Sequence, residues 1–245
     1  MSATTDPRER ARAVAATIEG WLTDGEGELL FRLAAACPPG LSIVEIGSWK
    51  GKSTVWLASG LRPSAGTQVF AIDPHERSLE DSNAVTLDDL KRNLQRSGVM
   101  DAVVPIVATS HDAASTFDKL PGVIFIDGSH LEEAVRIDLE DWFPKLADGG
   151  VLALHDVLNE RWSGPRRALR SLLWRSTEIT SVQFVDSIAW MRKVMRSSVG
   201  DRLRNRFAVL LLMAYEIRPA RLPAPLAALF RAVYRLTPLK RHSTG

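Results

Sequence analysis

Five short apolar runs separated by helical patterns constrain this chain more than any other feature. They are SIVEIG (42–47), QVFAID (68–73), AVVPIV (102–107), GVIFID (122–127) and GVLALHD (150–156). A continuous apolar run of this length reads as a strand buried on both faces, which belongs in a parallel sheet. Repeated strand–helix units predict a doubly wound, Rossmann-like α/β fold with right-handed crossovers. EITSVQFVDSIAWMRKV (178–194) adds two strands turning at Asp186-Ser187, for a seven-stranded, mostly parallel sheet. The clearest helix is SHLEEAVRIDLEDWFPKL, with Leu131, Val135, Leu139 and Trp142 on one face and a Ser129/Glu132 capping box at its start. The reading divides the chain into N-terminal helices (1–40), the Rossmann-like core (41–194) and a helical extension (195–245).

In such folds a ligand sits beyond the carboxyl ends of the strands. The first strand ends in VEIGSWKGKST (44–54), which invites comparison with a phosphate-binding P-loop. Only Ser48, Trp49 and Lys50 separate Gly47 from Gly51, one residue too few for that pattern. Glu45, two residues before Gly47, would repel a triphosphate but can pair with an ammonium, so a cationic ligand is expected. Asp73 follows Gly51 by 22 residues, close to the spacing of the acid that holds a ribose in dinucleotide-binding folds. The loop is not G-x-G-x-x-G, so a nicotinamide cofactor is disfavoured. Asp127 and Asp156, ending consecutive strands, can share a hard divalent cation.

VEIGSWKGKSTVWLA resembles motif I of the class I S-adenosylmethionine-dependent methyltransferases, in the form found in catechol O-methyltransferases. AIDPH, FIDGSHLEEAVRIDLEDWFPKLADGGVLALHDV and VDSIAWMRKV extend the likeness over about residues 20–194, toward a metal-dependent branch that methylates small molecules and sugars. The resemblance implies that Gly47, Ser48, Trp49 and Gly51 lie against the methionine part of the cofactor. Ser53 would bond its carboxylate, Glu45 would meet its ammonium through water, Asp73 would take the ribose hydroxyls and Ser110 would lie by the adenine. It also implies Asp127, His155 and Asp156 as metal ligands with Mg²⁺ the usual ion, Asp127 beside both cofactor and chemistry, and His130 as general base. His155 stands where the sugar enzymes carry a carboxylate, and a neutral imidazole is a weaker ligand for Mg²⁺. The implied activity is O-methylation of a sugar or glycosylated small molecule. A metal-dependent hydroxylase-like relative, a P-loop-like phosphotransferase and a binding module that keeps only the fold are the alternatives.

Blander roles stand beside these. Glu45 can be a structural carboxylate, His130 a helix-start residue, and His75 and His111 loop residues; Trp142, Trp174 and Trp190 read as core. Asp24, Glu26 and Glu28 read as an acidic helix start, and only the resemblance implies a place for them near the cofactor. The polar stretch 74–89 is where a substrate lid would sit.

Charge separates the extension from the rest. Residues 192–245 hold 12 basic and 2 acidic residues, which leaves 1–191 at a net −8 although the chain totals +2. An acidic body disfavours nucleic acid as partner. Cys37 is the only cysteine, so an internal disulfide is impossible and a cytoplasmic setting is expected. In the extension, Leu203, Phe207, Leu210, Ala214 and Ile217 recur at helical spacing, and Leu226, Leu229, Phe230 and Val233 repeat the pattern. The expected roles for 201–236 are docking on the body, docking on a second copy in a homo-oligomer, or a peripheral anchor on an anionic membrane.

Overall fold

The computed structural model describes residues 6–62, 66–76 and 86–216. The nine residues 77–85 of the expected lid, and the extension from Ile217 onward, lie outside the described residues.

All seven expected strands form, as β1 (Ser42–Ile46), β2 (Val69–Ile72), β3 (Val103–Ile106), β4 (Pro121–Ile126), β5 (Val151–Leu154), β6 (Ile179–Val185) and β7 (Ile188–Lys193). They make one sheet in the order β3-β2-β1-β4-β5-β7-β6. β7 runs antiparallel to both of its neighbours, β5 and β6, and the five strands β1 to β5 pair in parallel. Among the described residues, eight helices flank the sheet: α1 (Pro7–Ala15), α2 (Asp24–Ala35), α3 (Lys52–Gly60), α4 (Leu87–Ser97), α5 (Ser110–Thr116), α6 (Glu132–Trp142), α7 (Gly164–Arg175) and α8 (Val199–Glu216).

Alternation along each strand sorts the apolar runs between two cores. Ile43, Val123 and Phe125 face Leu30, Trp56 and Leu90 of α2, α3 and α4. Val44, Ile46, Ile124 and Ile126 face Val135, Trp142, Leu169 and Leu212 of α6, α7 and α8. Glu45 shares the first face, so a carboxylate is buried in the middle of the central strand. Its register partners are Ala71 on β2 and Phe125 on β4.

Three local expectations are corrected. Helix α6 begins at Glu132, and no side chain caps it; Ser129 Oγ instead accepts from the Leu131 amide at 3.2 Å. The capping box does not form, and Leu131 is exposed rather than on the buried face. Trp174, read as core, is also exposed. In α8 the buried residues are Asn205, Ala208, Val209 and Leu212, while Leu203, Phe207 and Leu210 face outward. Asn205 Nδ2 donates to the Ile179 carbonyl at 2.9 Å, which satisfies the edge strand β6 and sets the helix rotation.

At the α5–α6 contact Trp142 Nε1 donates to Ser110 Oγ at 2.8 Å. Burial pushes the neighbouring Asp138 up to about 6, against a hydrogen bond from Ser110 that lowers it. Between the ordinary aspartate range and about 6, the unfolded chain has released a proton that the native state still holds. Stability from this group therefore falls as pH rises through that window. Asp138→Asn keeps the acceptor and removes the charge. It should raise Tm by roughly 2–4 °C at pH 8 and by less at pH 5, as read by thermal denaturation; an equal gain at both would refute the assignment.

Candidate active site

The loop after β1 is shaped by backbone conformation. Gly47 has φ 87°, and a Cβ there would overlap the Asp127 carbonyl, so the loops after β1 and β4 touch through bare backbone. Trp49 sits at φ 40°, an unusual place for a bulky residue. It is held there by its amide, which donates to Asp73 Oδ2 at 2.9 Å. Its indole stacks on Trp21 with centroids 5.5 Å apart, and Lys50 Nζ lies 4.4 Å from the ring centroid. Gly51, at φ 86°, precedes α3, and no side-chain hydrogen bond caps that helix. An uncapped helix start directs amide N–H groups and a partial positive charge into the loop, which suits a carboxylate.

Beneath the loop, Glu45 Oε2 accepts from Thr54 Oγ1 at 2.5 Å. Burial raises Glu45 to about 7, against hydrogen bonds from Ser53 and Thr54. Glu45 Oε1 and Ser48 Oγ are buried without hydrogen-bond partners. Unsatisfied buried polar atoms are costly, so a ligand with a donor for the carboxylate and a partner for the hydroxyl fits here. Asp73 Oδ1 accepts from the His75 amide at 2.7 Å, so backbone bonds at both oxygens fix the carboxylate. His75 is buried, its Nδ1 2.8 Å from Thr86 Oγ1, and His111 pairs with Asp141 on the surface; neither joins the strand-end cluster. Ser110 has its hydroxyl engaged by Trp142 and Asp138.

At the ends of β4 and β5, Asp127, His155 and Asp156 come together, with one potential ligand atom from each within 4.8 Å of the others. His155 Nδ1 lies 2.9 Å from Asp127 and 3.4 Å from Asp156, and Nε2 lies 3.3 Å from Glu26. These are ion-pair distances without hydrogen-bond alignment. Burial alone would lower the His155 pKa. The Asp127 charge and the contacts with Asp156 and Glu26 outweigh it and hold His155 well above the ordinary histidine range. Burial likewise would raise Asp156 and Glu26, but the facing imidazoles hold both below the usual carboxylate range. Asp127 is raised by burial. His130, in the loop before α6, places Nε2 2.8 Å from Asp156 Oδ2. Its ring stacks on Trp162 at 4.7 Å, and Asn159 Nδ2 donates to Asp156 Oδ1 at 2.7 Å.

Asn159 and Trp162 escaped the sequence reading as site residues, and Glu26, which only the resemblance set near the cofactor, faces His155. Glu26 had a signal of another kind: Thr23-x-x-Glu26 forms the capping box of α2. The same carboxylate accepts from the amide and hydroxyl of Ser187 in the β6–β7 turn, at 2.9 and 2.6 Å. Nothing in the sequence marks Trp162. Gly47→Ala should force the β1 and β4 loops apart and destabilise the protein by about 1–3 kcal/mol. Chemical denaturation checks this, and a wild-type midpoint would show that the two loops are not rigidly apposed.

Comparison with known proteins places this geometry. Residues 44–157 match the model of a methyltransferase domain family. A catechol O-methyltransferase of Mycobacterium tuberculosis is 29% identical over 132 residues, which is 54% of each chain, so this chain spans about half the length of that relative. The O-methyltransferase from Bacillus cereus in complex with S-adenosylhomocysteine (SAH) superposes with a TM-score of 0.58 at 22% identity, over 79% of this chain and 93% of that one. TomG from Streptomyces achromogenes, an O-methyltransferase of tomaymycin synthesis in complex with S-adenosylmethionine, gives 0.57 at 21% identity, over 78% and 91%. The two structural likenesses show the fold. The family match covers the glycine loop and the ends of the central strands, the stretch in which the candidate site lies.

Proposed function

We propose that the protein is an O-methyltransferase that methylates a hydroxyl of a small molecule, with a sugar or glycosylated compound as acceptor and His130 as general base. The observation that carries this reading is the His130–Asp156 pair, held 2.8 Å apart beside the Asp127–His155–Asp156 cluster and next to the glycine loop. Bound S-adenosylmethionine supplies an electrophilic methyl group on a sulfonium. Ser48 Oγ and Glu45 Oε1 are the buried atoms that lack partners and fit its amino-acid end, with the uncapped start of α3 and Ser53 for the carboxylate. Trp49 and the two loop glycines shape the wall. Asp73, fixed by two backbone bonds, keeps acceptor capacity for the ribose hydroxyls. Ser110 contributes to the adenine end through the start of α5.

The chain's own groups account for the proton. Held by Asp156, the His130 ring takes the proton of the acceptor hydroxyl. Asp156 then stabilises the imidazolium, and the Trp162 face keeps the ring in one orientation. That same indole offers an apolar surface beside the base for the ring of an acceptor. Asp127 and Asp156 would hold a divalent cation that orients the acceptor oxygens and lowers the hydroxyl pKa, with His155 as a third ligand once the cation displaces its proton. With an imidazole among three donors, the set suits an ion that accepts nitrogen better than it suits Mg²⁺.

Methyl transfer from labelled S-adenosylmethionine to a panel of sugars and glycosides, followed by product mass, tests the reading. His130→Ala should lower kcat by about 10²–10⁴ while SAH affinity is kept. Asp73→Ala should weaken SAH binding by about 1.5–3 kcal/mol in calorimetry. Asp127→Ala and Asp156→Ala should abolish metal-stimulated transfer. Full activity after exhaustive chelation removes the cation from the reaction, and an unimpaired His130→Ala enzyme removes the base.

A further inference from the structure

Helix α8 carries an apolar stripe on the face turned away from the body. Val199, Leu203, Phe207, Leu210 and Met213 are 64, 61, 51, 57 and 44% exposed, at spacings of four, four, three and three residues. They line one side of a helix of 18 residues, about 27 Å long at 1.5 Å per residue. Trp174 of α7, 59% exposed, lies alongside, with the Arg206 guanidinium 5.3 Å from its ring centroid. Exposed arginines accompany the stripe: Arg206 over Trp174, Arg204, which also pairs with Asp201 at 3.6 Å, and Arg196 before the helix. Both acids of α8 are tied to the body. Asp201 accepts from Thr180 and Ser198, and Glu216 pairs with Arg166 and Arg170. The outer face therefore combines contiguous apolar side chains with a cationic border and engaged carboxylates. Stability does not explain the arrangement, since basic residues in the first turns of a helix oppose its dipole.

We propose that this face is a docking surface for an anionic lipid bilayer, on which α8 lies in the plane of the headgroups. The inference is independent of the methyl-transfer reading. Charge selects the occupant. A second copy placed face to face would set one arginine border against another. Residues 217–245 bring six more basic residues and no acidic one, so laid on the stripe they add repulsion rather than neutralise the border. An anionic surface attracts both, and each arginine near it strengthens attachment by roughly fivefold. The net −8 of residues 1–191 turns the rest of the body away from the same surface and leaves this face to meet it. No helix among the described residues is long and apolar enough to cross a membrane, in keeping with a helix lying on the surface.

Co-sedimentation of the full chain with phosphatidylserine-containing and pure phosphatidylcholine vesicles tests this, at low and high salt. The chain should bind the anionic vesicles, bind the neutral ones at least about tenfold less, and weaken as salt rises. Leu203→Glu with Phe207→Glu should reduce binding at least about tenfold, with an unchanged circular dichroism spectrum and melting temperature because both side chains are exposed. Absence of binding by the intact chain, equal binding to neutral vesicles, or full binding by the double variant overturns the proposal. A dimer in light scattering that the double variant splits assigns the stripe to a second copy. A lowered melting temperature in the double variant, without vesicle binding by the intact chain, assigns it to the chain's own 225–236 segment.

Discussion

A single imidazole holds three carboxylates together where the sheet opens. Like charges this close in a buried setting would force protons onto one another, raising the pKa of at least one. His155, positioned by the end of β5, interposes a positive charge among Asp127, Asp156 and Glu26, so that Asp156 and Glu26 stay ionised. Asp156 can then accept from His130 and Asn159 at once, which fixes the His130 ring and the loop that carries Trp162. The central sheet supplies the rigidity: Asp127 and His155 donate their amides to Ile46 and Ile126 at 2.8 and 3.0 Å, so each strand end is pinned by the strand beside it.

Much of this architecture is legible in the sequence because central parallel strands have no solvent face. SIVEI, PGVIFI and VLAL are apolar nearly throughout, which left little room for another assignment, and a carboxylate at Glu45 stood out against that background. The strand-end acids followed from the same logic. Legibility failed where a side chain's partner is distant in sequence. Ser129 and Glu132 have the spacing of a capping box, but the chain holds 127–131 as a loop that sets His130 beside Asp156, and the helix starts afterwards. In α8 the apolar period is legible in the sequence, and what it faces is left open between the body, a second copy and a membrane. Periodicity identifies a face without saying what it meets, and here one amide from Asn205 to the uncovered edge of β6 decided the rotation.

Contacts at the far end of α8 also reach toward the centre. Tyr215 donates its hydroxyl to the Leu158 carbonyl at 2.6 Å, and buried Arg166 bonds the carbonyls of Val157 and Asn159 at 3.0 and 3.2 Å while pairing with Glu216. The segment following Asp156 is thus gripped from both helices that cover it. Asp156 itself adopts a left-handed φ of 58°, a conformation that an unsupported aspartate visits rarely. Neighbours that clamp the next three residues hold it there.

Glu26 has an implication for modularity. It caps α2, receives the β6–β7 turn and faces His155, so a helix preceding the first strand and a hairpin following the last crossover meet in one carboxylate. The stretch that matches the family model, 44–157, contains neither Glu26 nor Ser187. The recognisable segment is therefore narrower than the electrostatic unit that operates inside it. Transplanting 44–157 into the framework of a structural relative would carry the imidazole and two of its carboxylates but leave behind the third, and exchange between relatives is confined to pieces that move both flanks together.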